Sequence, residues 1–375
     1  MNVLFLSTHL NAGGIARYIL TLTKGLVNCG HRVYVATSGG EWVDELMAGG
    51  ASHQTFSIRT KSELDPRIYG ALKPLARWTR ENRIDVIHAQ TRITQVMAAF
   101  LSRMTQRPYL STCHGFFKRR LSRRIFPCWG KMVIAISEPV KEHLLKDFAL
   151  APEKVVVIHN GVDLNRFPLI DEHLRRQKRR ELGLEDHHQV IGIIARLSDV
   201  KGHDILLRAM KKLIKGNLLA RLLIIGTGSR EEPLKRMTRE LEINDYVRFL
   251  PIIDDTPSML SMLDVFVMPS RQEGLGLSVM EAQAVGLAVV ASRVGGLVSL
   301  IEDGRTGLLV PPENADALSK AIGLLLNHRE KAREMGLAAR RFIEEKFSAK
   351  AMVEETLKVY QGLAAKEDRP FFKAS

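Results

Sequence analysis

The chain has 375 residues, 45% of them hydrophobic and 26% charged, which predicts a soluble globular protein of two domains. No segment reaches the roughly 18 uninterrupted apolar residues of a membrane span, and three cysteines without metal-ligand spacing predict reduced thiols in a cytoplasmic protein. The net charge is +14, and residues 1–170 carry most of it, with 23 basic against 12 acidic side chains. An anionic partner is therefore expected, a membrane surface or phosphorylated glycolipid before nucleic acid.

The first half alternates short buried strands with helices. It opens with an apolar run at residues 3–7, which lacks the basic flank and cleavage site of a signal peptide and predicts a strand. A helix is predicted at 15–28, where apolar residues recur with helical spacing before Gly30. Further strands are predicted at 33–36, 84–88, 109–112 and 133–136. This alternation predicts a parallel sheet covered by helices on both faces.

The second half repeats the pattern. Strands are predicted at residues 190–194, 221–225, 247–250, 265–268, 289–291 and 307–310. A polar, charged stretch at 167–186 predicts a linker between a first domain at 1–166 and a second at 187–345. The fold class is therefore α/β, with two doubly wound domains and a ligand-binding cleft between the carboxyl ends of their sheets.

The first turn contains the glycine pair Gly13-Gly14 between a strand and a helix. Paired glycines let the backbone approach a phosphate and direct N–H groups towards it. The turn lacks the full G-x-G-x-x-G pattern, and no acidic residue ends the second strand, which argues against a dinucleotide site. A plain tight turn is the alternative.

Two cations, Arg196 and Lys201, follow the first strand of the second half. Arg196 can hold phosphate oxygens as a fork, and Lys201 can add a point charge. A surface loop with solvated cations is the alternative.

The run from Arg271 to Ala282 places two carboxylates, Glu273 and Glu281, eight positions apart around a glycine-rich turn. The turn offers backbone N–H groups to a diphosphate at the start of a helix. Glu273 can reach sugar hydroxyls, and Glu281 can accept hydrogen bonds from a ribose. The alternative is a strand–turn–helix with a solvated glutamate at each end.

One histidine and one basic segment stand out in the first half. His114 ends a predicted strand and could hold a substrate hydroxyl, although a lone histidine is more often structural. Just after it, helical spacing groups Phe117, Leu121 and Ile125 on one side and four arginines on the other. The four are Arg119, Arg120, Arg123 and Arg124. The segment predicts a basic amphipathic helix on an anionic membrane or a site for acceptor phosphates, with a surface helix whose apolar side lies in the core as the alternative.

Together these segments resemble the retaining GT-B glycosyltransferases of family 4 over nearly the whole chain. The motifs come in family order and spacing. They are Gly13-Gly14, Cys-Gly-His-Arg-Val at 29–33, His-Asn-Gly-Val-Asp at 159–163, Arg-Leu-x-x-x-Lys-Gly at 196–202, Ile-Gly-Thr-Gly at 225–228, Glu-x7-Glu at 273–281 and Gly-Leu-Leu-Val-Pro-Pro at 307–312. The resemblance implies two Rossmann-like domains facing across a cleft, the first binding the acceptor and the second a nucleotide-sugar. It also implies a C-terminal helix, at 346–375, that crosses back to the first domain.

The resemblance further implies roles for single residues. The catalytic set is Glu273, His114, Arg196 and Lys201. The donor-binding set is Gly13, Gly14, Arg196, Lys201, Leu250, Gly274, Leu277 and Glu281. Within these sets Glu281 would hold the ribose, Glu273 the transferred sugar, and the two cations the diphosphate. His114 would touch the sugar from the opposite wall, and the base would rest near Leu250.

No metal or cofactor is expected. Metal-dependent transferases usually hold the ion with a D-x-D motif, which this chain lacks. Asp254-Asp255 is adjacent rather than spaced and predicts a loop or helix cap. The charge that develops on the diphosphate would instead be stabilised by the two cations and a helix N-terminus. Front-face attack with retention is the family's usual proposal, and Glu273 is then a positioning residue.

The leading hypothesis is a retaining transferase that moves a sugar from a UDP-sugar, or next a GDP-sugar, to a membrane-associated lipid-linked or lipopolysaccharide-type glycan. Its expected location is cytoplasmic, on the inner face of the cytoplasmic membrane, without a nucleic-acid partner. Three alternatives stay open. They are transfer to a small phosphorylated acceptor, a GT-B nucleotide-sugar epimerase, and a non-enzymatic basic binding protein or inactive partner subunit.

Overall fold

The computed structural model describes residues 1–60, 62–251 and 255–365. They form two compact units, one of Met1–Gly161 with the C-terminal residues from Ala349 and one of Val162–Ser348. Each unit has its own parallel sheet, which confirms the predicted doubly wound α/β fold class. In the part of the chain so described, no helix is long and apolar enough to cross a membrane. Asp254 and the end of the predicted C-terminal helix, 366–375, lie outside it.

The first unit is built on a seven-stranded parallel sheet of short strands. In chain order they are β1 (Asn2–Leu6), β2 (Arg32–Thr37), β3 (Ser52–Thr55), β4 (Val86–Ala89), β5 (Tyr109–Cys113), β6 (Met132–Ala135) and β7 (Val155–Val157). Their spatial order is β3-β2-β1-β4-β5-β6-β7. The strand order therefore reverses between β1 and β4, and the loops at their carboxyl ends diverge where ligands bind in such sheets.

Helices connect these strands, and the last helix of the chain joins them. They are α1 (Gly14–Asn28), α2 (Val43–Ala48), α3 (Pro66–Glu81), α4 (Arg92–Thr105), α5 (Leu121–Ile125) and α6 (Glu138–Phe148). The last helix, Ala349–Ala365, packs against α1, where a Cβ at Gly25 would lie only 2.3 Å from Cγ2 of Val353. Its Tyr360 is fully buried. This helix therefore completes the hydrophobic core of the first unit.

The second unit repeats the design with a six-stranded parallel sheet. Its strands are β8 (Gln189–Ile194), β9 (Ala220–Ile225), β10 (Val247–Leu250), β11 (Val265–Met268), β12 (Ala288–Ser292) and β13 (Leu308–Val310). Their spatial order is β10-β9-β8-β11-β12-β13. The corresponding reversal lies between β8 and β11, so the loops after these two strands are the expected ligand site of this unit.

The helices of the second unit begin inside the stretch predicted as a linker, 167–186. They are α7 (Glu172–Glu181), α8 (His203–Leu213), α9 (Glu231–Glu240), α10 (Thr256–Ser261), α11 (Leu277–Ala284), α12 (Leu297–Leu300), α13 (Ala315–Asn327) and α14 (Arg329–Lys346). The last helix of the chain, Ala349–Ala365 in the first unit, is α15. The buried Arg179 of α7 donates to Oδ2 of Asp264 at 2.8 Å and to the carbonyl of Met262 at 2.9 Å. Through Arg179, this stretch is thus bound to the rest of the second unit, which begins at Val162.

Candidate functional site

The loop after β8, residues 195–202, is fixed by close backbone packing. A Cβ at Gly226 would meet the carbonyl oxygen of Ala195 at 2.0 Å, and one at Gly228 would meet that of Leu197 at 2.2 Å. Only glycine leaves room for such approaches. The glycines of the Ile-Gly-Thr-Gly motif therefore hold the cation-bearing loop against the loop after β9.

Lys201, on the loop after β8, contacts Glu273, on the loop after β11, at the point where the strand order reverses. Nζ of Lys201 lies 2.5 Å from Oε2 of Glu273. Their side chains are 20% and 13% exposed, so the ion pair is largely shielded from water. Ser270 adds a longer hydrogen bond, 3.4 Å, from its hydroxyl to the same carboxylate oxygen. The structure thus brings together two of the predicted catalytic residues, one from each loop.

A second glycine pair supports the turn that follows Glu273. A Cβ at Gly295 would meet the carbonyl oxygen of Glu273 at 2.0 Å, and the N–H of Gly296 donates to that carbonyl at 3.0 Å. Gly276, with φ of +107°, is the N-cap residue of α11. The backbone around Glu273 is therefore held from outside, and the N-terminal N–H groups of α11 follow it directly.

The remaining donor-binding candidates of the second unit follow β8, end β10 or follow β11. Glu281 is buried on the second turn of α11. Arg196 is exposed, and Leu250 is half-buried, with its carbonyl accepting the N–H of Gly226 at 2.9 Å. Gly274 is buried and Leu277 half-buried. Within residues 1–60, 62–251 and 255–365, no group of three His, Cys, Asp or Glu side chains could hold a metal ion.

Arg271 is a residue of this site to which the sequence motifs gave no role. Its guanidinium donates to both carboxylate oxygens of Asp204 at 2.9 Å, and Nη1 donates to the carbonyl of Asp199 at 2.7 Å. Arg271 thereby joins the loop after β11 to the loop after β8. The sequence signal was its place two residues before Glu273, but its partner lies 67 positions away.

In the first unit, Gly13 and Gly14 are exposed after β1, at the start of α1. This helix has no side-chain cap at its N-terminus. Its first N–H groups therefore lie at the β1–β4 reversal, where an anion could accept their hydrogen bonds.

His114 follows β5 and is held in one tautomer. Its Nε2 donates to Oε1 of Gln90, 2.8 Å away at the end of β4, because that amide oxygen can only accept. Burial lowers the pKa of His114 to about 3, so the imidazole is neutral at neutral pH and Nδ1 is an acceptor. Its ring also packs edge-on against Tyr18, with 4.9 Å between centroids. His114 can therefore act as a hydrogen-bond partner but not as a cation.

A buried hydrogen-bond chain, which the sequence motifs did not indicate, supports Tyr18. The hydroxyl of Tyr18 lies 3.3 Å from Oγ1 of Thr112, which lies 2.7 Å from Nε2 of His88. Nδ1 of His88 in turn lies 2.7 Å from the hydroxyl of Tyr360. The chain links α1, β4, β5 and α15, and it fixes the ring against which His114 packs.

The side chains of the basic segment do not divide between two sides as predicted. Helix α5 has only five residues, and its Leu121 and Ile125 are 70% and 73% exposed. Arg123, predicted to share one side with Arg119, Arg120 and Arg124, is 6% exposed. Its guanidinium carbon lies 4.1 Å from the ring centroid of Phe117 and 4.9 Å from that of Trp129. The predicted grouping of all four arginines on one side is therefore wrong, and so is the alternative in which Leu121 and Ile125 lie in the core.

Aromatic packing explains why Arg123 is buried. A guanidinium plane stacks favourably on aromatic faces, and Nη1 of Arg123 donates to Oε1 of Gln95 at 3.3 Å. Burial lowers the pKa of Arg123 to about 10. The other three arginines, Arg119, Arg120 and Arg124, are exposed.

Comparison with known proteins agrees with the fold. The family profile "Glycosyltransferase Family 4" matches residues 12–166, and "Glycosyl transferases group 1" matches residues 175–342. An uncharacterized glycosyltransferase of Methanocaldococcus jannaschii is 27% identical over 93% of this chain and 94% of its own. The D-inositol 3-phosphate glycosyltransferase of Corynebacterium aurimucosum is 26% identical over 88% of this chain and 86% of its own.

Among solved structures, HepE of Anabaena in complex with UDP and glucose superimposes with a TM-score of 0.86, at 21% identity, over 96% of this chain and all of the other. The chain therefore belongs to the group 1 glycosyltransferases of family 4, with the GT-B fold, as its motifs indicated. The predicted enzyme class, a glycosyltransferase, is confirmed with it.

Proposed function

We propose that this enzyme transfers a sugar, with retention of configuration and without a metal ion, from a nucleotide-diphosphate donor to a membrane-associated glycan acceptor. The observation that carries the donor part is the Lys201–Glu273 pair at the β8–β11 reversal, with Glu281 eight residues further on. A cation suited to a diphosphate and a carboxylate suited to sugar hydroxyls lie there within one hydrogen bond of each other.

UDP-sugars are the first donor class and GDP-sugars the second. The support for UDP is the HepE complex, which has the same fold and contains UDP and glucose. In the proposed arrangement Glu281 accepts hydrogen bonds from the ribose, and the base lies beside Leu250. The backbone groups proposed to complete the donor site are those of Gly13, Gly14, Gly274 and Leu277.

Departure of the nucleotide diphosphate is the step that these residues assist. As the anomeric C–O bond breaks, the leaving phosphate gains charge, which Arg196, Lys201 and the N-terminus of α11 stabilise. The acceptor oxygen attacks from the same face, and the leaving phosphate takes its proton. Glu273 orders the sugar without forming a bond to it, and neutral His114 supplies a hydrogen bond. Metal independence rests on the absence of a D-x-D motif.

The acceptor is proposed to be lipid-linked because α5 presents an exposed apolar pair among arginines. Leu121 and Ile125 are suited to the acyl boundary of a bilayer, and Arg120 and Arg124 to its anionic headgroups. Each cation near such a surface contributes about 1 kcal/mol. The proposed location is therefore the cytoplasmic face of the cytoplasmic membrane.

A small phosphorylated acceptor is the second candidate. The observation that favours it is the similarity, over 88% of this chain, to an enzyme named D-inositol 3-phosphate glycosyltransferase. The exposed arginines would then serve a single phosphate, and the protein would not bind vesicles.

Nucleotide release from UDP-, GDP- and ADP-sugars in EDTA tests the proposal. Three acceptor conditions are compared: no acceptor, an inositol phosphate, and a bacterial membrane-lipid extract. Release from one donor that only the lipid extract stimulates supports the first candidate, and stimulation by inositol phosphate alone supports the second. Release that requires added Mg²⁺ or Mn²⁺ contradicts metal independence, and an inverted anomeric proton coupling in the NMR spectrum of the product contradicts retention.

A further inference from the structure

Arg271 connects the loop after β11 to the loop after β8. Its guanidinium donates two hydrogen bonds, both 2.9 Å long, to Asp204, which lies on the first turn of α8 just after that loop. Nη1 also donates to the carbonyl of Asp199 at 2.7 Å, and the backbone N–H of Arg271 donates to the carbonyl of Val200 at 2.8 Å. One residue thus reaches the neighbouring loop through both its side chain and its backbone.

These contacts restrict how far the two loops can move relative to each other. Arg271 lies two residues before Glu273, on the same loop. Gly202, which directly follows Lys201, has φ of +67°, and a Cβ there would meet the carbonyl oxygen of Pro269 at 2.0 Å. A displacement of one loop therefore has to move the other.

The Arg271–Asp204 contact is a partly shielded ion pair. Burial alone would raise the pKa of Asp204, but hydrogen bonds from Arg271 hold it below its usual range. Hydrogen bonds to Asp204 likewise raise the pKa of Arg271. Both groups are thus charged at neutral pH. The two-pronged geometry fixes the guanidinium plane in a way that a lysine cannot reproduce.

We propose that Arg271 is a positioning residue of the donor site. Its ion pair with Asp204 sets the distance between the charged groups of Lys201 and Glu273. What these two charged groups bind is taken from the proposed function. The coupling of the two loops rests on the contacts alone. A misplacement of about 1 Å in an active site can cost about 10²-fold in rate. Loss of the Arg271–Asp204 ion pair is therefore expected to lower kcat more than it alters KM.

The experiment compares Arg271→Gln, Arg271→Lys and Asp204→Asn with a matched control. The control is Glu313→Gln, because exposed Glu313 is the other ion partner of Arg271, with Oε1 2.6 Å from Nε. Amide hydrogen exchange is measured in residues 195–202 and 271–277 without substrate. The constants kcat and KM are measured with the donor that the nucleotide-release assay identifies. We expect Arg271→Gln to speed exchange in both loops and to lower kcat by about 10²-fold. Arg271→Lys should fall between it and wild type, and Glu313→Gln should match wild type.

Faster exchange in only one loop would overturn the proposed role of the Arg271–Asp204 ion pair. Effects of Glu313→Gln as large as those of Arg271→Gln would also overturn it. A wild-type enzyme that releases no nucleotide would refute the proposed function, while the exchange data, taken without substrate, would still decide the loop coupling. If Arg271→Gln unfolds, exchange also rises in strands β8 to β13. The milder Arg271→Lys and Asp204→Asn variants then decide the outcome by the same two measurements.

Discussion

Nζ of Lys201 and Oε2 of Glu273 lie 2.5 Å apart, so the residues proposed to bind phosphate and sugar are partners of each other. A shielded ion pair couples its two members more firmly than a surface pair does. Removing one member leaves the other charge without its compensation. Substitutions at these two positions are therefore expected to be non-additive.

Replacing Glu273 with alanine should abolish sugar transfer and leave UDP affinity unchanged or higher. The sugar hydroxyls lose the carboxylate that orders them, while Lys201 loses its internal partner and can turn to phosphate oxygens. Transfer is measured by nucleotide release and affinity by isothermal titration calorimetry. Gln272→Ala, at an exposed neighbour, is the control. Parallel losses of transfer and affinity would refute the positioning role.

Replacing Glu281 with alanine should weaken UDP binding. A hydrogen bond to a charged group is worth about 1.5–3 kcal/mol, which corresponds to a rise in Kd of about 10- to 100-fold. Calorimetric titration with UDP measures this change. Glu240→Ala removes an exposed glutamate from α9 of the same unit and should leave the Kd as it is. A wild-type Kd in the Glu281→Ala variant would rule out the ribose contact.

The double substitution of Leu121 and Ile125 by serine should reduce binding to phosphatidylglycerol-containing vesicles by at least about tenfold. Burying each such side chain is worth about 1.5–3 kcal/mol, and both are exposed in the protein, so the fold should tolerate the change. Vesicle co-sedimentation measures the binding. Leu218→Ser, at an exposed leucine of the second unit, is the matched control. Binding equal to wild type would show that α5 does not enter the bilayer.

Acidification should weaken the first unit through its neutral histidines. Burial lowers the pKa of His114 to about 3 and keeps that of His88 well below its usual range. The unfolded chain therefore binds protons below pH 6.5 that the folded unit does not, so stability is full above pH 6.5 and falls as the pH drops towards 3. The slope is at most about 1.4 kcal/mol per pH unit for each histidine.

Urea unfolding followed by tryptophan fluorescence measures this dependence. The three tryptophans lie at positions 42, 78 and 129, so the signal reports the first unit alone. His114→Gln should make the urea midpoint less sensitive to pH between 6.5 and 4, whatever its effect at pH 7.5. An unchanged sensitivity would mean that His114 takes up its proton in the folded state as readily as in the unfolded one.

The central strands could be predicted because each is a run of buried apolar residues. Strands β1, β8, β11 and β12 lie within one residue of their predicted bounds. Strand β3 was missed, since Ser52–Thr55 is polar and mostly exposed at the sheet edge, and its pairing with β2 comes from backbone hydrogen bonds.

For the site, local motifs indicated Lys201 and Glu273, because each belongs to a short motif on the loop that follows a buried strand. They could not indicate the Arg271–Asp204 contact, which depends on how the loop after β11 packs against the start of α8. Helical spacing failed at α5 because five residues form little more than one turn, so the aromatic surroundings of Arg123, rather than periodicity, decide which side is buried.

The return of α15 to the first unit also determines the order in which the two units can be finished on the ribosome. The second unit, Val162–Ser348, has all its residues before α15 emerges, whereas the first unit still lacks the helix that covers α1 at Gly25. A chain ending at Ser348 should therefore contain a folded second unit beside an incomplete first one with altered tryptophan fluorescence; native-like fluorescence would contradict this. The unit whose residues are synthesised first is thus the last to be completed.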